Sequence, residues 1–123
     1  MNAAHFLPDT DLLGSLQDYC TQNGFSVRAG PVWTTDAPLR ETVDKVCNYG
    51  KEGLLAVEME MSALFRVAAY RKVRLAGLLV VSDELFTLKW RPGFSSTRFK
   101  RACRQASEAL LDFCASLPPH LLA

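Results

Sequence analysis

The 123-residue sequence has few of the side chains that form metal sites or nucleophilic pairs. Its two histidines, His5 and His120, lie near opposite ends. Structural zinc sites and Ser–His or Cys–His pairs need such ligands or bases in close sets. We therefore expect no metal site, and we interpret the four widely separated cysteines as small buried apolar residues: Cys20, Cys47, Cys103 and Cys114.

An excess of charge of one sign is also missing. The 14 basic and 13 acidic side chains leave a formal charge of +1, so the total shows no electrostatic footprint for nucleic acid or an anionic membrane. Residues 1–11 lack a basic region followed by a long apolar run, and no apolar stretch approaches the length of a bilayer span. We expect a cytoplasmic protein that binds neither nucleic acid nor membrane.

The composition is that of a folded protein, with 49% hydrophobic and 22% charged residues. The length fits one domain or part of one. Apolar periodicity predicts helices at residues 9–22, 39–47, 60–72 and 97–117, and strands at residues 25–33, 54–57 and 73–81. The last of these strands contains an unbroken apolar run at residues 76–81, which is typical of a strand covered on both faces in a parallel sheet.

Helices and strands alternate in this prediction, which implies right-handed crossovers and an α/β fold. We expect a three-layer sandwich with a mostly parallel sheet. Three strands alone would leave two sheet edges, which more chain or a second subunit would have to cover.

Polar residues follow each predicted strand: Thr34-Thr35-Asp36, Glu58-Met59-Glu60 and Ser82-Asp83-Glu84. In open α/β sheets ligands bind beyond the carboxyl ends of the strands, so we expect these residues to converge on one site. A purely structural interpretation stays open. Acidic groups are favoured in the first turn of a following helix, and Ser82 and Asp83 could be turn or cap residues.

Three segments together resemble the nucleoside phosphorylase and nucleosidase superfamily. The run AVEMEMSALF at residues 56–65 is similar to the family segment in which a Glu-Met-Glu strand end meets the ribose. Upstream, GPVWTTD resembles the strand and base-site loop, and downstream VVSD resembles the strand end with the catalytic Asp of purine-specific members. The resemblance extends from residue 7 to residue 114. It implies a partial nucleoside phosphorylase fold, in which residues 1–123 form a single partial domain equivalent to the C-terminal half.

The resemblance also implies roles for the residues that meet the sugar. Glu60 would accept hydrogen bonds from the ribose 2′ and 3′ hydroxyls, with Met59 packing against the sugar and Glu58 supporting the same site. A carboxylate suits this task because it offers paired acceptors. Thr35 would contact the substrate from the base-site loop.

For the base, the resemblance implies that Asp83 protonates or hydrogen-bonds N7 of a purine, with Ser82 positioning it. Uridine phosphorylases resemble the chain around Glu-Met-Glu but generally lack the Ser-Asp pair, so Asp83 favours a purine. Arg98 would assist Asp83, with Arg91 as the competing candidate. Pro38 stands where many relatives have an aromatic residue that stacks on the base.

The family's Gly-rich phosphate loop belongs to the N-terminal half, and the seven glycines here form no phosphate-cradling loop. The expected parent activity is cleavage of the N-glycosidic bond of nucleosides, with phosphate as co-substrate and no cofactor. The alternatives are a hydrolytic nucleosidase and a non-catalytic module that binds a nucleoside or only assembles. The expected partners are a nucleoside and either further copies of the chain or a complementing N-terminal half.

Overall fold

The computed structural model describes residues 6–122, so His5 lies outside the described residues. These residues form helices α1 (Thr10–Gln22), α2 (Val43–Lys51), α3 (Met61–Arg71) and α4 (Thr97–Ser116). The strands are β1 (Val32–Thr34), β2 (Ala56–Glu58), β3 (Asp83–Glu84) and β4 (Arg91–Pro92), and short 3₁₀ helices lie at Pro38–Arg40 and Pro119–Leu121.

Side-chain caps set the beginnings of three helices. A carboxylate oxygen of Asp9 accepts the backbone N–H of Leu12 at 2.9 Å, and the hydroxyls of Thr42 and Ser96 cap α2 and α4 in the same way. After α1, Gly24 adopts a φ of 74°, a left-handed conformation that glycine takes without strain. The helices predicted at residues 9–22 and 97–117 are confirmed to within a residue at each end.

A small parallel sheet positions the first two polar strand ends. β1 pairs with β2 in parallel, and the register places Thr34 directly beside Glu58. The connection between the strands contains α2, as in the α/β units predicted from the alternation of elements. The chain is therefore a mixed helix and strand structure with a small parallel sheet.

The strand predicted at residues 73–81 is not formed among the described residues. Leu78 and Val80 are half-buried, whereas Leu79 and Val81 are exposed, so burial alternates along the run and one face is uncovered. Apolar composition indicates that a segment favours burial, but a strand also requires a neighbouring backbone to pair with. An antiparallel hairpin, β3–β4, follows instead and was not predicted.

The core lies where α1 meets α4. Leu16, Cys20 and Phe113 are buried there, and half-buried apolar residues surround them: Leu12, Tyr19, Phe25, Leu78, Leu110 and Leu117. The rings of Tyr19 and Phe113 lie 5.5 Å apart between centroids. This cluster holds the two ends of the described chain together.

The interpretation of all four cysteines as buried is wrong for two of them. Cys20 is buried and burial raises the pKa of its thiol, and Cys103 is half-buried, but Cys47 and Cys114 are exposed. Cys114 directly follows buried Phe113, so the helical turn carries it away from the core. Cys47 lies on α2, which has no buried residue.

Much apolar surface remains uncovered. On α3, Leu64, Val67 and Tyr70 are 48%, 58% and 81% exposed, and the following segment exposes Val73 and Val81. Between residues 6 and 122, none of the helices combines the length and the apolarity that a membrane span requires.

Candidate functional site

Glu58 ends β2, and protein donors occupy both of its carboxylate oxygens. One oxygen, Oε1, accepts the hydroxyl of Thr34 from the neighbouring strand. The other accepts the backbone N–H groups of Glu60 and Met61, at 2.7 and 2.5 Å. These two N–H groups lie at the beginning of α3, where a helix leaves its first donors unsatisfied. Glu58 therefore joins β1 to β2 and also caps α3. The structural interpretation expected acidic groups near the beginning of this helix, but it did not predict these bonds.

Glu60 occupies the N-cap position of α3 and is exposed. Its carboxylate accepts one long bond of 3.3 Å, from the backbone N–H of Met59. The side chain of Met59 is 45% exposed beside it. Since a carboxylate offers about four acceptor positions, Glu60 retains the capacity to bind two adjacent hydroxyl groups.

Thr34 and Thr35 fix the loop that follows β1. The backbone N–H of Thr35 donates to the carbonyl of Glu58 at 2.9 Å, and its hydroxyl bonds with the backbone of Ala37. Thr35 is 8% exposed, so this turn is tightly packed. The hydroxyl oxygen of Thr34 also accepts the backbone N–H of Ser62 at 3.2 Å. Thr34 was expected near Glu58 as part of a polar strand end, but its bond to Glu58 was not predicted, because only the register of β1 against β2 places the two side by side.

Asp83 begins β3 and has one protein donor on each carboxylate oxygen. The Ser82 hydroxyl donates to Oδ1 at 2.5 Å, and the indole N–H of Trp90 donates to Oδ2 at 2.7 Å. Trp90 lies just before β4, so the β3–β4 hairpin brings it back to Asp83. No helix or strand was predicted at Trp90, and its separation of seven residues from Asp83 gave no sign of this contact.

Glu41 follows the 3₁₀ helix Pro38–Arg40 and is electrostatically coupled to Asp83. Burial, and then the nearby charge of Asp83, raise the pKa of Glu41 above its ordinary value. Glu41, in the loop after β1, is therefore near enough to Asp83 to be affected by its charge. Glu41 was not singled out from the sequence, since nothing in its local pattern distinguishes it from a solvated loop residue.

The two candidate arginines are exposed. Arg98 lies in the first turn of α4, and Arg91 lies in β4 opposite Glu84. In the part of the chain that the structure describes, neither makes a hydrogen bond or ion pair with Asp83. Their assistance to Asp83 stays a prediction, as do the ligand contacts of Thr35, Met59, Glu60 and Ser82.

Two open clefts lie away from these carboxylates. One, of about 360 Å³, is lined by residues before α1 and at the end of α3, and the other, of about 240 Å³, lies between α1 and the end of α4. Neither includes Glu58, Glu60 or Asp83. Within residues 6–122 no group of three His, Cys, Asp or Glu side chains is arranged to hold a metal ion. Glu60 and Asp83 are exposed, whereas Glu58 is half-buried.

Comparison with known proteins gives a match over nearly the whole chain. The family model described as "Phosphorylase superfamily" matches residues 2–117. The chain is also similar to the proteins named "Purine nucleoside phosphorylase DeoD-type" of Bacillus thuringiensis (strain Al Hakam), Bacillus mycoides (strain KBAB4) and Bacillus cereus (strain B4264). Each is 46% identical over 77 residues, which cover 63% of this chain and 33% of the relative. The match thus spans about a third of the length of these relatives.

Proposed function

The chain belongs to the phosphorylase superfamily, and on this premise we propose that it supplies the ribose and base contacts of a purine nucleoside phosphorylase. The proposal rests on a difference between the two carboxylates of the Glu-Met-Glu motif in the number of protein hydrogen bonds that they accept. Protein donors use both oxygens of Glu58, whereas the oxygens of Glu60 are nearly free and exposed. Glu58 builds the site, and Glu60 binds the sugar.

The ribose binds through Glu60. Its carboxylate accepts hydrogen bonds from the 2′ and 3′ hydroxyls, and the exposed side chain of Met59 packs against the sugar ring. Thr35 contributes through the loop it stabilises rather than through its hydroxyl, which is bonded to Ala37. Charge-assisted hydrogen bonds of this kind position the sugar for attack at C1′.

Asp83 acts on the base. As the bond between C1′ and N9 breaks, its electron pair moves onto the purine, and Asp83, in its protonated form, gives a proton or a hydrogen bond to N7 and is left as the carboxylate. Ser82 holds one oxygen of Asp83, and Arg98 assists from the first turn of α4. A pyrimidine has no N7, so this arrangement favours purine nucleosides.

Phosphate is held by groups beyond those described, because none of the seven glycines forms a cradling loop before a helix. We place these groups in an N-terminal half of the family's fold, which also completes the three-layer sandwich. The uncovered apolar residues on α3 and on residues 73–81 support this assembly, with that half or with further copies of the chain in the cytoplasm.

The same surface favours a second candidate, a non-catalytic module that binds a nucleoside and assembles.

The test is phosphate-dependent release of free base from inosine, adenosine and uridine. The 123-residue chain alone should release little, since positioning of the nucleophile contributes roughly 7–11 kcal/mol to such reactions. Adding the N-terminal half of a DeoD-type relative should restore turnover of inosine or adenosine. A preference for uridine would overturn the role of Asp83, and robust turnover by the chain alone would overturn the need for assembly.

Two substitutions locate the activity in the assembled protein. Asp83→Asn should lower kcat for purine nucleosides by about 100-fold or more, because its interaction strengthens as the base departs. Glu60→Ala should reduce kcat and raise KM. Glu84→Gln, on the same strand, is the matched control and should change neither. If no assembled form cleaves a nucleoside while the chain still binds one, the non-catalytic module is the correct assignment.

A further inference from the structure

Asp83 is held by an uncharged donor from the β3–β4 hairpin. We propose that Trp90 is a positioning residue for Asp83: its indole N–H fixes the carboxylate in the orientation that meets the purine base. The Nε1–Oδ2 distance is 2.7 Å, within the range of charge-assisted hydrogen bonds. The consequence for the base rests on the proposed function, whereas the contact itself can be tested in the free protein.

The backbone of the hairpin delivers Trp90 to Asp83. The antiparallel register pairs Asp83 with Pro92, two residues beyond Trp90. Gly93 directly follows β4, and Ser82 directly precedes β3. A Cβ at position 93 would lie 2.7 Å from the carbonyl oxygen of Ser82. The backbones that flank the two strands are therefore in close contact at this end of the hairpin, which places the indole N–H of Trp90 beside Asp83.

A neighbouring aromatic ring lies beside the indole. The rings of Trp90 and Phe94 lie 6.1 Å apart between centroids, at an interplanar angle of 37°. On the other side of the carboxyl group, the Ser82 hydroxyl donates to Oδ1 at 2.5 Å. One donor on each oxygen favours a single orientation of the Asp83 carboxyl group, and each oxygen still has a second acceptor position.

The donor also leaves the charge of Asp83 unneutralised. An indole N–H donates a hydrogen bond but carries no formal charge, unlike an arginine. No cation forms an ion pair with Asp83 among residues 6–122, and its charge contributes to the raised pKa of nearby Glu41. Asp83 is thus oriented without an ion pair, which suits a carboxylate that must take up a proton before it can give one to N7.

The contact is tested by NMR of the indole N–H groups in the ¹⁵N-labelled full chain, which has two tryptophans, Trp33 and Trp90. Trp90→Phe assigns the Trp90 resonance by its disappearance. Asp83→Asn should shift that resonance upfield and accelerate its exchange with water, while the Trp33 resonance stays in place. Glu84→Gln is the matched control and should move neither. A Trp90 resonance unchanged by Asp83→Asn would overturn the proposal.

The consequence for ligand binding is tested by calorimetric titration with inosine. Trp90→Phe keeps an aromatic ring but removes the donor, and it should weaken binding by about 10-fold. Trp90→His restores a ring N–H and should recover part of the loss. Equal affinities of the wild type and Trp90→Phe would overturn the consequence for the base. If the wild type does not bind inosine, the proposed function fails, and the NMR result still decides whether Trp90 positions Asp83.

Discussion

The region where α1 packs on α4 and the region that carries the carboxylates are stabilised by different interactions. In the first, Leu16, Cys20 and Phe113 are at most 6% exposed and contact one another. In the second, Glu58 and Asp83 hold short segments together by hydrogen bonds at or near the surface. Burial provides most of the stability of the first region, and the second is ordered by directional contacts. Substitutions in the two regions should therefore differ in both size and kind.

The largest effect is expected from Phe113→Ala, which opens a cavity between α1 and α4. Such truncations cost about 3–5 kcal/mol, and the loss of the contact with Tyr19 adds to the cost. Urea unfolding followed by circular dichroism measures the free energy of unfolding. The control is Leu111→Ala on the same helix, where the side chain is 72% exposed and the change should stay within about 0.5 kcal/mol. Equal losses would mean that α4 does not pack as described.

The packed region was also the easier one to predict from the sequence. The apolar positions of α1 and α4 recur at helical spacing, and local residues such as Asp9 and Ser96 cap them, so the information lies within each segment. The strand predicted at residues 73–81 was wrong because pairing depends on other segments. An apolar run indicates burial, but it does not specify which other segment supplies the backbone hydrogen bonds of a strand.

For the candidate site, the sequence predicted which residue types end the strands but not how they are bonded. That Glu58 and Thr34 meet depends on the register of β1 against β2, which no local pattern fixes. Trp90 meets Asp83 through a hairpin that was not predicted, and the charge of Asp83 acts on Glu41, which follows a 3₁₀ helix. Contacts between segments were therefore missed even where each segment was noticed.

Two glycine-to-alanine substitutions, one in each region, should have the next largest effects on the free energy of unfolding. Gly93→Ala places a Cβ 2.7 Å from the backbone oxygen of Ser82, so the hairpin must shift, at a cost of about 1–3 kcal/mol. Gly14→Ala meets nothing within 4 Å in α1 and should stabilise the protein by about 0.5–1 kcal/mol. Both are measured by urea unfolding. A stabilising Gly93→Ala would show that the two strand ends are not in close contact.

Substitutions of the two glutamates of the Glu-Met-Glu motif should affect different properties: that of Glu58 the free energy of unfolding, and that of Glu60 the binding of a nucleoside. Glu58→Ala removes the cap of α3 and leaves the Thr34 hydroxyl without its acceptor, which should cost about 1–2 kcal/mol. Glu60→Ala removes an exposed side chain and should change stability by less than about 0.5 kcal/mol. Unfolding midpoints of the two variants measure the difference. Similar losses would mean that Glu60 is also a structural residue, which would weaken its assignment to the ribose.

The smallest expected effect is a dependence on pH that arises from Glu41. Burial and the charge of Asp83 raise its pKa in the folded protein above the ordinary value of 4.5, so the folded state holds this proton more tightly than the unfolded chain. The resulting contribution to stability is complete below the unfolded pKa and is lost as the pH rises through the folded pKa. Glu41→Gln should flatten this part of the curve, and Asp83→Asn should reduce it by removing the second cause. Unfolding midpoints in buffers from about pH 4 to about pH 7 measure the slope. A slope unchanged in Glu41→Gln would show that Glu41 does not cause it, and a slope unchanged in Asp83→Asn would show that the charge of Asp83 does not act on Glu41.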